Sequence, residues 1–78
     1  MANPVTSYIF IECNVGSTKE VIGGLKHFKG IKSMETVIGP YDIIAILELE
    51  PLQEIGDLVT QNIQKVNGIS ITVTCIAV

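Results

Sequence analysis

The sequence feature that most constrains the fold is a tight turn leading directly into an apolar segment. Gly39-Pro40 is a strong turn signal, because proline fixes its own φ and glycine tolerates backbone conformations that other residues avoid. Residues 43–49 read Ile-Ile-Ala-Ile-Leu-Glu-Leu, which is typical of a buried central strand. The turn holds Tyr41 and Asp42 at the entrance to this strand, so we expect any binding site to lie on this loop.

Residue patterns in the rest of the chain predict three further strands and two helices. Runs of β-prone residues mark the strands, and a glycine that follows each apolar stripe marks the end of a helix. In chain order we expect a strand at 5–13, a helix between Ser17 and Gly30, strands at 31–38 and 42–50, a helix between Pro51 and Gly68, and a strand at 69–78. No linker is left over, so we expect a single domain over residues 1–78.

The two halves of the chain repeat the same βαβ order. Each predicted helix is followed by glycine and isoleucine, at Gly30-Ile31 and at Gly68-Ile69. Two right-handed βαβ units joined by a tight turn form a ferredoxin-like α+β sandwich. We therefore expect a four-stranded antiparallel sheet in the order 4-1-3-2, with both helices on one face.

The first predicted helix combines a clear start with an unusual interior. Ser17 and Glu20 have the spacing of a capping box, and an apolar stripe at i, i+4 and i+7 begins at Val21. Gly23 and Gly24 together cost about 2 kcal/mol of helix propensity relative to alanine. We expect the glycines to allow close approach of the sheet or of a neighbouring subunit.

Strands 1 and 3 are apolar on both faces. In strand 1, Tyr8 and Phe10 alternate with Ile9 and Ile11, and strand 3 is apolar on both faces in the same way. Two helices cover only one face of the sheet, and a chain with 47% hydrophobic and 17% charged residues has more apolar surface than so small a domain buries alone. We therefore expect a homodimer that packs the uncovered sheet face against a second copy.

The charge composition disfavours direct binding of nucleic acid. The net charge is −3, with five lysines and no arginine, whereas phosphate binding relies on clustered Lys and Arg. The N-terminal sequence Met-Ala-Asn-Pro lacks the basic and apolar regions of a signal peptide. We expect a cytoplasmic protein without a membrane partner.

The cysteine and histidine content argues against a metal, a cofactor or catalysis. Cys13 and Cys75 are isolated, and His27 is the only histidine, which is too few ligands for a zinc or iron–sulfur site. We expect both cysteines to be small buried hydrophobic residues and His27 to lie on the surface. The sequence thus lacks an evident acid–base pair, and we expect neither an enzyme nor a cofactor.

Two motifs carry a resemblance to a known family. Gly39-x-Tyr41-Asp42 precedes an apolar strand, and residues 66–74 read Val-Asn-Gly-Ile-x-x-Thr-x-Thr. At these positions in a βαββαβ order, the motifs resemble the effector-binding domain of the Lrp/AsnC regulators, also called the RAM domain. The resemblance runs from about Ser7 to Val78.

The resemblance implies an amino-acid effector bound between dimers, near the turn between strands 2 and 3. The residues that it implicates are Gly39, Tyr41, Asp42, Thr72 and Thr74. It also implies a ring of four dimers. Full-length members begin with a helix-turn-helix, whereas here Ser7 already lies in the first strand, so we expect a stand-alone module that acts through full-length relatives.

Each candidate residue also has a purely structural explanation. Asp42 beside a turn is often a local backbone acceptor, Tyr41 can pack at an interface, and the two threonines are ordinary sheet formers. Two alternative functions therefore stay open, namely a structural oligomerisation module and a small dimeric α+β-barrel enzyme.

Overall fold

The computed structural model describes residues 5–49 and 61–78. The strands are β1 (Val5–Cys13), β2 (Ile31–Thr36), β3 (Ile43–Leu49) and β4 (Ile69–Ile76), the helix α1 spans Thr18–Leu25, and a 3₁₀ turn spans Ile63–Lys65. The second predicted helix, from Pro51 onwards, lies largely outside the described residues. No helix among these residues is long and apolar enough to cross a membrane.

The four strands form one antiparallel sheet in the order β2-β3-β1-β4. This is the predicted order 4-1-3-2 counted from the other edge, so the ferredoxin-like topology is confirmed. The most apolar strands, β1 and β3, lie at the centre of the sheet. A central strand has a neighbouring strand on each side and is therefore the most buried. The charged strand β2 lies at an edge, where charged side chains discourage pairing with a further strand.

One face of the sheet carries the core. Ile9 pairs with Ala45 and Ile11 with Ile43, which places these side chains side by side, because directly opposed residues of an antiparallel pair point to the same face. Helix α1 and the 3₁₀ turn cover this face. The fully buried residues that meet here are Ile9, Ile11, Val21, Leu25, Ile43, Ala45, Leu47 and Ile63.

The opposite face, which we call the open face, is apolar but exposed. Its central side chains are Tyr8, Phe10, Ile44 and Ile46, all of which keep part of their surface in solvent. Strand β4 extends the apolar surface with Ile71, Val73 and Cys75, which lie opposite the outward-facing residues of β1. The predicted alternation in β1 and β3 is therefore confirmed by the burial of alternate residues.

Several element ends differ from the prediction. Helix α1 ends at Leu25 rather than just before Gly30, because the Phe28 N–H donates to the Leu25 carbonyl, a three-residue spacing that breaks the α-helical ladder. Ser17 precedes the helix as expected, but its side chain makes no capping hydrogen bond. Strand β2 ends two residues early, before Pro40, which has no N–H to donate to a ladder.

Two glycines permit close packing around α1. A Cβ added to Gly24 would lie 2.8 Å from Cγ1 of Val66, whereas one added to Gly23 would have no atom within 4 Å. Gly68 has a φ of 99°, and a Cβ there would lie 2.8 Å from Cβ of Ser17. A close approach therefore occurs at Gly24, but its partner is Val66, between the 3₁₀ turn and β4, rather than the sheet or a neighbouring subunit as expected.

The cysteines correct one expectation. Cys13 is half-buried, but Cys75 is exposed, so the prediction that both are buried is wrong for Cys75. The physical reason is its place on the open face of an edge strand, where neither a helix nor a second neighbouring strand covers it among the described residues.

Candidate functional site

Three loops meet at one end of the sheet, which we call the loop end. They are the β1–α1 loop, the β2–β3 loop (residues 37–42) and the turn before β4. The Asn14 N–H donates to the Gly68 carbonyl at 2.7 Å, and the Asp42 N–H donates to the Ile11 carbonyl at 2.8 Å. These backbone hydrogen bonds attach the outer loops to the central strand β1, so the loop end is held by the sheet itself.

Asp42 lies where β1 extends past the start of β3. The Cys13 N–H, beyond the last residue paired with β3, donates to Oδ2 of Asp42 at 2.8 Å. The carboxylate thus replaces the backbone acceptor that β3 no longer supplies. Asp42 therefore has the structural role of a backbone acceptor, and this role uses one of its two carboxylate oxygens.

Burial and the neighbouring Asp42 change the pKa of the Cys13 thiol. Partial burial raises the pKa of Cys13, and the negative charge of Asp42 raises it further, whereas a hydrogen bond with Thr18 acts in the opposite direction. Both dominant effects disfavour the thiolate. Cys13 is therefore held as a thiol beside the carboxylate and has little nucleophilic character.

Tyr41 points to the open face. Its ring lies 5.5 Å from the ring of Phe10, centroid to centroid, with an interplanar angle of 48°. A tilted aromatic pair at this distance is favourable beyond its buried area. Tyr41 thus adds to the apolar surface of the open face at the loop end.

The two candidate threonines lie on the other side of the sheet. Thr72 is opposite Ile11 and Thr74 is opposite Ile9, both of which point into the core. Thr72 also receives a hydrogen bond at its Oγ1 from Nε2 of Gln64, at 3.0 Å. Within one chain, the sheet therefore separates Tyr41 from both threonines.

Three features of the loop end were not predicted from the sequence. Phe10 is the stacking partner of Tyr41, and two apolar side chains, Val15 and Ile38, are fully exposed on the loops. An apolar residue next to glycine in a turn, as in Val15-Gly16 and Ile38-Gly39, is the signal that could have identified them. Among residues 5–49 and 61–78, no group of three or more His, Cys, Asp or Glu side chains could hold a metal ion.

The fold and the position of the loops define a ferredoxin-like α+β domain with its candidate site at one end of the sheet. Comparison with solved structures gives FFRP-DM1, with a TM-score of 0.89 and 31% sequence identity over 95% of this chain and 99% of that chain. The chain belongs to the Lrp/AsnC family and has the fold of its RAM domain.

Two longer proteins share the fold at lower identity. Escherichia coli AsnC gives a TM-score of 0.89 at 17% identity over 95% of this chain and 50% of its own. The feast or famine regulatory protein of Mycobacterium tuberculosis, solved with L-methionine, gives 0.79 at 16% identity over 95% and 50%. This chain spans about half the length of each. No protein-family model and no curated protein matches the sequence.

Proposed function

We propose that this chain is a ligand-sensing and oligomerisation module that binds an amino acid between dimers. In this proposal, it modulates transcription through full-length regulators that carry the same domain, in the cytoplasm and without direct contact with DNA. The observation that carries the proposal is the similarity to FFRP-DM1 over nearly the whole of both chains. A neighbour solved with L-methionine makes that amino acid the first ligand to test.

The chemistry of the loop 37–42 fits one end of an amino-acid zwitterion. Oδ2 of Asp42 accepts the Cys13 N–H, which orients the carboxylate, and an ionised carboxylate has further acceptor capacity for an α-ammonium group. Backbone N–H groups near Gly39 suit the α-carboxylate. The loop therefore offers an oriented negative charge whose position the central strand determines.

The remainder of the proposed pocket comes from another copy of the chain. Tyr41 and the two threonines, Thr72 and Thr74, lie on opposite faces of the sheet, so one ligand can contact both groups only where two chains meet. The fully exposed Val15 and Ile38 beside the loop support the same arrangement, because a neighbouring dimer would remove their side chains from water. A ring of four dimers is the assembly that we propose.

The homodimer itself is proposed to form through the open face. This face presents the exposed side chain of Tyr8 and the half-buried side chains of Phe10, Ile44 and Ile46, and sheet-on-sheet packing covers such surfaces. Sedimentation equilibrium should give a dimer or a larger assembly at micromolar concentration. Ile46→Glu should convert it into folded monomers, because the interface would then bury an unpaired charge.

Calorimetric titration with the free amino acids, beginning with L-methionine, tests ligand binding. Asp42→Asn is the sharpest variant, because the amide oxygen can still accept the Cys13 N–H while the charge that attracts an ammonium group is lost. We expect affinity to fall by about 1.5–3 kcal/mol, with the assembly unchanged. Glu35→Gln, on the edge strand β2, is the matched control for the loss of one negative charge and should bind as the parent does.

A purely structural oligomerisation module is the second candidate. It is favoured by the hydrogen bonds that engage the candidate residues without a ligand, from Cys13 to Asp42 and from Gln64 to Thr72. If none of the free amino acids gives a heat of binding or a thermal shift while the oligomer is intact, this candidate replaces the sensor. Neither candidate is an enzyme.

A further inference from the structure

A side-chain hydrogen bond links the 3₁₀ turn to the candidate threonines of β4. Nε2 of Gln64 donates to Oγ1 of Thr72 at 3.0 Å, and Gln64 is the central residue of the turn Ile63–Lys65. The preceding residue, Ile63, is fully buried in the core and anchors the turn on the covered face. The fold therefore holds Gln64 beside Thr72, on the face to which both candidate threonines point.

Backbone hydrogen bonds fix the chain on both sides of Gln64. The Lys65 N–H donates to the Asn62 carbonyl at 3.1 Å, and the Val66 N–H donates to the Ile63 carbonyl at 3.0 Å. Val66 also packs against the core. The side chain of Gln64 thus starts from a backbone position that the core determines, which is the support that a specific binding contact needs.

The hydrogen bond leaves one donor and one acceptor side by side. A threonine hydroxyl that accepts a hydrogen bond still has its own proton to donate, and a glutamine amide that donates through Nε2 still has Oε1 as an acceptor. Within residues 5–49 and 61–78, neither side chain has a second side-chain hydrogen bond. The bonded groups are exposed, so a ligand bound at the threonines can reach both.

The residues on this side of the sheet are uncharged. Thr74 lies on the same face as Thr72, because the two residues are opposite Ile9 and Ile11. Lys65 follows Gln64, but three residues per turn direct successive side chains about 120° apart. A charged ligand group would lose water here without gaining an opposite charge, whereas a neutral group with one donor and one acceptor would gain two hydrogen bonds. A carboxamide is such a group.

We propose that Gln64 is a specificity-determining residue of the amino-acid site and that, with Thr72, it selects a ligand whose side chain ends in a carboxamide. The amide oxygen of the ligand accepts the proton of Thr72, and its NH₂ group donates to Oε1 of Gln64. This inference rests on the proposed function, in which Asp42 binds the α-ammonium group and the threonines of another copy meet the rest of the ligand.

Calorimetric titration of the intact oligomer with three amino acids of similar size tests the ligand class. L-Glutamine should bind about tenfold more tightly than L-methionine or L-glutamate, the scale of one net hydrogen bond. Methionine lacks the donor and the acceptor, and glutamate lacks the donor and carries a charge. Equal or tighter binding of either one would overturn the carboxamide inference and leave the sensor standing. No binding of any free amino acid would overturn both.

The variant Gln64→Leu tests the assigned residue. It removes the amide at nearly constant side-chain length, so the preference for L-glutamine over L-methionine should disappear. Thr72→Val removes the opposing hydroxyl and should have the same effect. Gln61→Leu, the same change at another exposed glutamine, is the matched control and should keep the tenfold preference. A preference that survives Gln64→Leu would contradict the assignment.

The variant Gln64→Glu separates a role in specificity from a structural role. The Thr72 hydroxyl would donate to the new carboxylate, so a ligand would meet a negative charge and no donor. L-Ornithine has the chain length of L-glutamine and ends in an ammonium group, and the variant should bind it more tightly than L-glutamine, the reverse of the parent. If the variant instead binds every amino acid more weakly by the same factor, Gln64 only supports the fold and the proposal fails.

Discussion

The two faces of the sheet have similar composition but different environments. On the covered face, Ile9, Ile11 and Ile43 are fully buried under α1 and the 3₁₀ turn. On the open face, Ile44 and Ile46, from the same strand as Ile43, keep part of their surface in water. Neighbouring isoleucines in one strand therefore differ in burial only because the strand alternates between faces.

This difference teaches which part of the molecule stabilises the single chain and which part the proposed homodimer would cover. Buried side chains on the covered face contribute to the stability of the monomer, since folding removes them from water. Side chains on the open face gain little until a partner covers them. The loop end joins the two environments, because Asp42 bonds to the backbone of β1 whereas Tyr41 packs on the open face.

The largest expected effect separates the adjacent residues Ile43 and Ile44. Ile43→Ala should lower the free energy of unfolding by about 2–5 kcal/mol, because it leaves a cavity in the core. Ile44→Ala should cost much less in the monomer, because its side chain is not enclosed. Urea unfolding at several protein concentrations measures both.

The concentration dependence sharpens the comparison. The effect of Ile44→Ala should grow with protein concentration where the open face packs on another copy, whereas the effect of Ile43→Ala should not change. Equal losses for both variants at high dilution would mean that the open face is already covered within one chain.

The next effect concerns the helix that covers the core. Gly23→Ala should stabilise the domain by about 1 kcal/mol through helix propensity, since an added Cβ there meets no atom within 4 Å. Gly24→Ala should lose this gain, because its Cβ would lie 2.8 Å from Val66. Thermal unfolding of the two variants measures the difference, and stabilisation by Gly24→Ala would show that Val66 moves aside easily.

A smaller, kinetic effect distinguishes the two cysteines. Cys13 is half-buried and its pKa is raised by burial and by Asp42, whereas Cys75 is exposed on the open face. Iodoacetamide at pH 8 should therefore alkylate Cys75 of the dilute protein first. Asp42→Asn should accelerate the reaction of Cys13, because the lost charge no longer opposes the thiolate. Mass spectrometry follows both sites, and an unchanged rate at Cys13 would contradict the electrostatic coupling.

The raised pKa of Cys13 also makes the stability of the protein depend on pH. A thiol whose pKa is higher in the folded state contributes stability that is fully present below the unfolded thiol pKa, about 8.5. That contribution is lost as pH rises through the folded value. Comparing Cys13→Ser with the parent between pH 7 and pH 10 measures it.

The smallest effect belongs to an exposed ion pair at the rim of the open face. Nζ of Lys32 lies 2.7 Å from Oε1 of Glu48, and both side chains are largely exposed. The hydrogen bond and the charge of Glu48 raise the pKa of Lys32. The contribution of the ion pair to stability is therefore lost only as pH rises above about 10.4. Glu48→Gln should barely change the free energy of unfolding, and the change should be smaller still at high salt. A large loss of stability would contradict an exposed ion pair.

The alternating apolar pattern by itself determined the strands and the existence of two sheet faces, and the repeated βαβ order determined the order of the strands. A period of two assigns Ile9 and Ile11 to one face and Tyr8 and Phe10 to the other, whatever the tertiary structure does. The turn before Tyr41 and the motif that ends at Thr74 were also readable, because turn residues act locally. The family followed from these local signals.

Only the tertiary structure decided what each candidate residue contacts. The Cys13 N–H reaches Asp42 because β1 is longer than β3 at the loop end, and no local pattern encodes the relative lengths of two strands 29 residues apart. Cys75 is exposed on β4, which lies at the edge of the sheet formed by residues 5–49 and 61–78. Whether Thr72 and Tyr41 share a face depends on strand register, which long-range packing sets.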